Sequence, residues 1–303
     1  MESLSFQIKV PGSTANLGPG FDSIGMAVSR YLELQVHTAD RWLFSSHSKD
    51  LAGIRTDESN LVAEVAKHTG KELGITIPPC HVEMTSNIPL ARGLGSSAAA
   101  IVAGIELGCY FYEKPVSPSY KVRLASLWEG HPDNVAASVY GGIVIGTHSD
   151  ESTHVLPIEA PELDLVFLIP EEEVMTKKAR SVLPSELSFP EAVKAGSVGN
   201  VLTAAILTGN WKVAGEMMGK DLYHQPYRKH LIPLLDKVLS FAADKKEIYG
   251  AALSGAGPTI LCITKKGRGS SVATMIGEAF EGMEIDILTP AKQGVQLVTN
   301  SNR

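Results

Sequence analysis

An α+β fold built from two packed units is predicted by three features of the chain. Its 303 residues exceed the size at which a single hydrophobic core keeps growing. Two alternating apolar segments stand near the N-terminus as an early hairpin, before any helical pattern. After them, strand and helix patterns follow one another irregularly, which disfavours a parallel doubly wound sheet.

Leu4, Phe6, Ile8 and Val10 alternate with Ser5, Gln7 and Lys9, and Leu32, Leu34 and Val36 alternate with Glu33, Gln35 and His37. Both segments read as half-buried strands. Between them residues 11–22 are far richer in Gly and Pro than a tight hairpin needs, so they read as a loop that holds something. Leu61, Val62, Val65 and Ala66 are spaced for a helix face, and Val82 and Met84 suggest a strand leading into Asn87-Ile88-Pro89. Residues 98–112 are continuously small and apolar, a buried helix with Ser96 or Ser97 near its N-cap. Ser117-Pro118 opens the next helix, to about Trp128, by the cap-then-proline rule. Glu129-Gly130-His131-Pro132-Asp133-Asn134 breaks it.

A strand over 142–147 and a polar stretch at 150–153 set the expected unit boundary, giving 1–155 and 156–303. The second unit reads as a strand at 163–169 and helices at 192–207, 211–218 and 231–243. Strands at 248–253 and 259–264 follow, joined by Ser254-Gly255-Ala256-Gly257-Pro258, then a helix at 272–280 and terminal strands.

Composition removes several classes of function. With 27 Lys and Arg against 33 Asp and Glu, the net charge is -6 and no basic patch stands out, so nucleic acid is not an expected partner. Met1-Glu2-Ser3 shows no basic segment before an apolar run, and the longest apolar region, 98–111, contains Gly104, Glu106 and Gly108 and is too short for a bilayer. No secretory signal and no membrane span are therefore expected. Cys80, Cys109 and Cys262 are odd in number and scattered, which fits buried free thiols in the cytoplasm.

Gly93-Leu94-Gly95-Ser96-Ser97 has the form of a Gly-rich turn feeding a helix N-terminus, where free N–H groups and the helix dipole favour an anion. It is not a Walker A loop, because no Lys precedes the serines. It fits the loose dinucleotide pattern through Gly93, Gly95 and Ala98, with Glu113 at a distance suited to a ribose contact, but follows a mixed third strand. Taken alone, close helix packing explains these glycines equally well. Three Gly-rich loops in separate parts of one chain favour function.

These loops resemble the GHMP kinases over essentially the whole chain. Residues 11–22 look like the first family motif, 89–99 the second and 253–259 the third, in matching order and spacing. Thr-Ala-Asn-Leu-Gly-Pro-Gly-Phe-Asp at 14–22, Glu-Gly-His-Pro-Asp-Asn at 129–134 and His-Gln-Pro-Tyr-Arg at 224–228 are similar to the homoserine kinase branch. The resemblance implies an N-terminal domain like domain 2 of ribosomal protein S5, a ferredoxin-like C-terminal domain and a site between them. It implies ATP cradled by Pro89, Leu90, Ala91, Arg92, Gly93, Leu94, Gly95, Ser96, Ser97, Ala98 and Ala99. Asn60, which by itself reads as a helix cap, is implied near the base or ribose.

The implied reaction is phosphoryl transfer from ATP and Mg2+ to L-homoserine, in a cytoplasmic homodimer. Ser97 and Glu129 are the implied metal ligands, with Glu129 closer to His131 than in many relatives. Arg180 and Arg228 match the arginines that grip the substrate carboxylate, and Asp22, beside Asn16, matches the acid that takes the ammonium. His131 and Asn134 match groups near the reacting end, while Thr176 and Gly255 are implied in the pocket wall. Asn134 is expected to orient the hydroxyl, with Arg180 and Ser97 as the other catalytic groups and Asp133 structural. Other proteins of this fold could bind metabolites without turnover, and a nicotinamide dehydrogenase is the reading the glycine pattern alone would allow.

Overall fold

The structure, a computed structural model, describes residues 5–299. The expected strand start at Leu4, and Met1-Glu2-Ser3, lie outside the described residues. The first sheet has the order β11-β1-β2-β4-β3, formed by β1 (Ser5–Ala15), β2 (Ile24–Thr38), β3 (Leu43–Ser46), β4 (Cys80–Ser86) and β11 (Gln296–Thr299). A hairpin of β5 (Ile143–His148) and β6 (Thr153–Ile158) joins it through β2. Helices α1 (Leu61–Leu73), α2 (Ser96–Tyr110), α3 (Pro118–Glu129) and α4 (Asp133–Tyr140) accompany it.

The second sheet is antiparallel with the order β10-β7-β9-β8, from β7 (Leu163–Ile169), β8 (Ile248–Leu253), β9 (Ile260–Lys265) and β10 (Glu284–Leu288). Helices α5 (Thr176–Ser181), α6 (Phe189–Leu207), α7 (Trp211–Met218), α8 (Gln225–Arg228) and α9 (Leu234–Ala243) lie between β7 and β8 in sequence, and α10 (Gly269–Ala279) between β9 and β10. Numbered by appearance, these strands run 4-1-3-2 across the sheet, the ferredoxin-like arrangement. The α+β expectation holds.

The alternation of β1 and β2 is explained by burial of Phe6, Ile8, Val10, Leu32, Leu34 and Val36, while Gln7 and Glu33 face out. Fully burying such a side chain contributes roughly 1.5–3 kcal/mol. Asn60 caps α1 by accepting the Val62 N–H at 3.0 Å, and Gly74 ends the helix in a left-handed turn. α2 is apolar nearly all round because it is enclosed. Gly104 lets α1 come so close that a Cβ there would meet Val65 at 2.7 Å.

Four readings of the sequence change. β1 runs on through a bulge at Pro11/Gly12 to Ala15, since 12–15 pair with β2, so the first loop is shorter than 11–22. The N-cap of α2 is Gly95 at φ 73°, with Ser96 and Ser97 as the first helical residues, because the turn there is left-handed. The boundary expected at 155/156 falls inside β6, which pairs with β5 along its whole length, and β11 returns to β1. The chain breaks at Gly130 as read, but it restarts at once as α4, with Val135, Ala136, Ala137 and Val139 buried.

All three cysteines are free, and burial pushes each thiol up to about 12. Among the described residues no helix is long and apolar enough to cross a membrane.

Candidate active site

The three Gly-rich segments meet. The Ser13 N–H donates to Leu94 O at 3.1 Å, and the Gly255 N–H donates to Ala15 O at 3.1 Å. Ser254 Oγ donates to Gly93 O at 2.6 Å and lies 2.8 Å from Thr14 Oγ1. The contacts leave no space for a side chain at Gly93 or Gly95 of the second loop. A Cβ on Gly93 would stand 2.3 Å from Ser254 O, and one on Gly95 2.3 Å from Ser13 Oγ, with both residues at positive φ. Asn16, Leu17, Asp22 and Ala91 also hold positive φ without being glycine, strain that the surrounding contacts must maintain.

This seam brings the N-terminus of the 15-residue α2 to the wall between two cavities. The smaller, about 100 Å³, is lined by Asn16, Asp22, Glu129, His131, Asn134, Arg180, Arg228 and Gly255. The larger, about 730 Å³, runs past Asn60, Leu61, Leu90 and Met84. Both are walled by Ala91, Ser96, Ser97, Val174 and Thr176. Exposed N–H groups and the dipole of α2 thus face an anion that could sit between an apolar cavity and a charged one.

The charged end is organised by pairs. Arg180 donates Nη1 and Nη2 to the two Asp22 carboxylate oxygens at 2.9 and 2.8 Å. That hydrogen bonding raises the Arg180 pKa above its ordinary value, burial opposing it. Arg228 is buried, its Nε bound to Ala179 O at 3.1 Å and its Nη1 to Gly255 O at 2.9 Å. Among the described residues Nη2 is its one nitrogen without a hydrogen-bond partner. Burial, joined by the Arg180 charge, brings its pKa down to about 10.

His131 Nδ1 lies 2.6 Å from Asp133 Oδ1, an oxygen that also accepts the Asn134 N–H at 2.7 Å. Burial disfavours the charged imidazole, but the hydrogen bond and charge of Asp133, with Asp22 and Glu129, raise its pKa overall. Asn134 Oδ1 accepts the Ser13 hydroxyl at 3.0 Å, leaving its amide N–H groups as the free function. Glu129 is drawn into the cleft, its side chain 19% exposed, and burial raises its carboxyl pKa against the opposing pull of His131. It is not an exposed helix-terminal acid.

Most of the expected site residues are thus brought together. Leu94 and Ala99 are not, because both are buried in the core and line neither cavity. Pro89, Arg92, Gly93, Gly95 and Ala98 line the smaller cavity, whereas Leu90 and Asn60 line the larger. Asn60 also serves as the cap, giving its amide to Arg55 O at 2.7 Å. Asn16 is committed on both sides, accepting the Asp22 N–H at 3.0 Å and donating to Gly255 O at 3.1 Å. The dinucleotide pattern fails, since β4 joins β2 antiparallel and Glu113 is exposed beyond α2.

Sequence reasoning missed Phe21 and His224. Asp221 accepts the N–H groups of Tyr223, His224 and Gln225, placing the fully buried His224 beneath the cleft. Its Nε2 donates to Gly18 O at 2.9 Å while Nδ1 faces Arg228 Nη1 at 3.2 Å, which assigns the neutral Nε2–H tautomer. Burial depresses its pKa from 6.5 to about 4, against the pull of Asp221. In the unfolded chain the ring takes a proton near 6.5, so the stability contributed by the neutral ring is whole above that pH. It is lost as pH falls towards 4. We expect acidification across that window to cost up to about 3 kcal/mol. Thermal midpoints of wild type and His224→Gln measured from pH 7 to 4 test this; parallel curves would contradict it.

Residues 60–142 match the GHMP kinases N terminal domain and 202–282 the GHMP kinases C terminal domain. A protein of Halalkalibacterium halodurans named homoserine kinase is 56% identical over 97% of this chain and 96% of its own. The chain belongs to the GHMP kinases. A second relative so named, from Shouchella clausii, is 55% identical over 96% of this chain and 97% of its own. The crystal structure of homoserine kinase from Cytophaga hutchinsonii superposes with a TM-score of 0.86 at 28% identity, covering 98% of each chain.

As a member of this family the protein is an ATP-dependent kinase acting on a hydroxyl. Its own residues fit a triphosphate. Among the described residues Arg92 Nε is buried without a partner, and the bare Gly93 and Gly95 backbone at the α2 N-terminus gives phosphate oxygens direct access to N–H groups.

Proposed function

We propose that this GHMP kinase transfers the γ-phosphoryl group of ATP to the hydroxyl of L-homoserine, giving O-phospho-L-homoserine for threonine synthesis. The observation that carries the reading is the Asp22–Arg180 pair beside Arg228, all three lining the small cavity and none the larger one. Opposite charges there answer the ammonium and carboxylate of a zwitterionic alcohol. The Asp22 and Arg180 side chains are 33% and 38% exposed, so an incoming zwitterion can exchange with them. Asp22 then takes the ammonium, and the two arginines take the carboxylate, a geometry suited to planar guanidinia.

In the same cavity Asn134, its Oδ1 held by Ser13, can donate its amide to the acceptor hydroxyl and aim it at the phosphate. Asp133 is already engaged by His131 and Asn134, which supports a structural part for it and a loose transition state needing little early deprotonation. The hydroxyl proton leaves to solvent. The larger cavity, with Leu90 and Asn60, suits adenosine, and Pro89, Ala91–Gly93 and Gly95–Ala98 its phosphates. Ser97 and Glu129 would hold Mg2+, and the buried, charge-averse Glu129 carboxyl is of the kind a cation relieves. When bound, the ion would neutralise phosphate oxygens. We place the enzyme in the cytoplasm as a homodimer.

ADP release measured across L-homoserine, mevalonate and other alcohols tests the reading. Turnover is expected to favour L-homoserine; no release with any amino alcohol overturns it. Arg180→Ala should lose about 1.5–3 kcal/mol of substrate binding, roughly 10- to 150-fold in the L-homoserine KM, with a smaller change for ATP. An unchanged L-homoserine KM would refute that part.

A further inference from the structure

Phe21 lies in the first loop next to Asp22 and lines the small cavity. The Arg180 guanidinium carbon stands over its ring 5.5 Å from the centroid, and that of Arg228 at 5.3 Å. The His224 imidazole stacks on it at 5.3 Å with the planes 25° apart. One ring therefore meets two of the arginines that line the cleft, Arg180 and Arg228. The faces of an aromatic ring carry negative potential and attract guanidinium groups, more strongly where water is displaced.

Arg228 has other supports, two carbonyls and His224. Among the described residues both hydrogen bonds of Arg180 run to Asp22. When Asp22 turns to a substrate ammonium those bonds are given up, and the ring is what still holds the guanidinium. We propose that Phe21 is the positioning residue for the acceptor carboxylate, its ring drawing Arg180 and Arg228 onto one point once Asp22 is engaged elsewhere. Two like charges are thereby kept close enough to share one carboxylate. This rests on the amino acid reading of the same cleft.

The alternative is that Phe21 merely fills space against His224. The test uses the full enzyme with Phe21 replaced by Leu, by Tyr, and by phenylalanines of increasing fluorination, which keep the ring shape while withdrawing its electron density. L-homoserine and 3-amino-1-propanol, the same alcohol without the carboxylate, are compared by ADP release. We expect the L-homoserine KM to rise about 10-fold with Leu and progressively with fluorination. Tyr should restore it, and the KM values for ATP and 3-amino-1-propanol should stay within twofold. Equal rises for both alcohols, or a KM insensitive to fluorination, overturn the role of Phe21 alone. Wild-type enzyme that turns over neither alcohol overturns the substrate reading, and this proposal with it.

Discussion

Gly93→Val is expected to lower kcat/KM by at least about 100-fold, for ATP and the alcohol alike. At φ 78° a Cβ costs roughly 1–2 kcal/mol, and a branched side chain more. The new atom would also stand 2.3 Å from the Ser254 carbonyl and 3.1 Å from the backbone of Gly257, none of which can swing aside as a side chain tip could. The second loop must part from the third, which displaces the backbone N–H groups leading into α2. A displacement of about 1 Å at such a point can cost two orders of magnitude in rate. Steady-state kinetics with each substrate varied in turn is the check, and a loss under tenfold would contradict it.

Arg228→Met should be the most damaging change to stability among the cleft residues, at about 3–5 kcal/mol. Methionine matches the length of the arginine stem but strands Ala179 O and His224 Nδ1, both buried partners of the guanidinium, and leaves Gly255 O with the Asn16 amide as its remaining donor. For a chain of this size that corresponds to a fall of roughly 5–8 °C in Tm. Arg228→Lys should recover little, since a single ammonium cannot reach these groups from one fork. Thermal unfolding of both variants decides the matter. A Tm within 2 °C of wild type for the Met variant would mean that these bonds contribute little.

The regular part of the fold was legible because its cause is local. Alternation marked β1 and β2, and Ser117-Pro118 marked the start of α3, where Ser117 accepts the Tyr120 N–H at 3.2 Å. α4 escaped because its eight residues are too few and too uniformly buried to show a period. β6 escaped because Thr153–Ile158 carries mostly exposed or half-exposed residues and is held by backbone pairing with β5, which leaves no apolar pattern.

At the cleft, residue types could be read but not pairings. Asp22 and Arg180 were each assigned a substrate group, yet only the folded chain shows them bound to one another across 158 positions. Leu94 and Ala99 belong to a motif without facing its ligand space, because alternate residues of a loop and helix turn must point into the core. Phe21 and His224 each stand in a motif that carries the resemblance, at 14–22 and 224–228, but neither residue type suggested a role. Their significance comes from a stack between segments distant in the chain.

The return of β11 to β1 bears on how the molecule is made. The strand Gln296–Thr299 that flanks β1 is made after every other described element, while β1 is made before them. The edge of β1 opposite β2 must therefore wait, with its backbone groups unpaired, until residues 296–299 have been synthesised. The ferredoxin-like half is threaded in between, so it is closed into place from both of its ends. Gly142 N–H to Ala291 O at 2.8 Å and Val295 N–H to Ser138 O at 2.9 Å fasten the second of these crossings beside α4. Assembly of the cleft thus ends with a latch, and a nascent chain has its catalytic loops before it has the clasp that fixes their alignment.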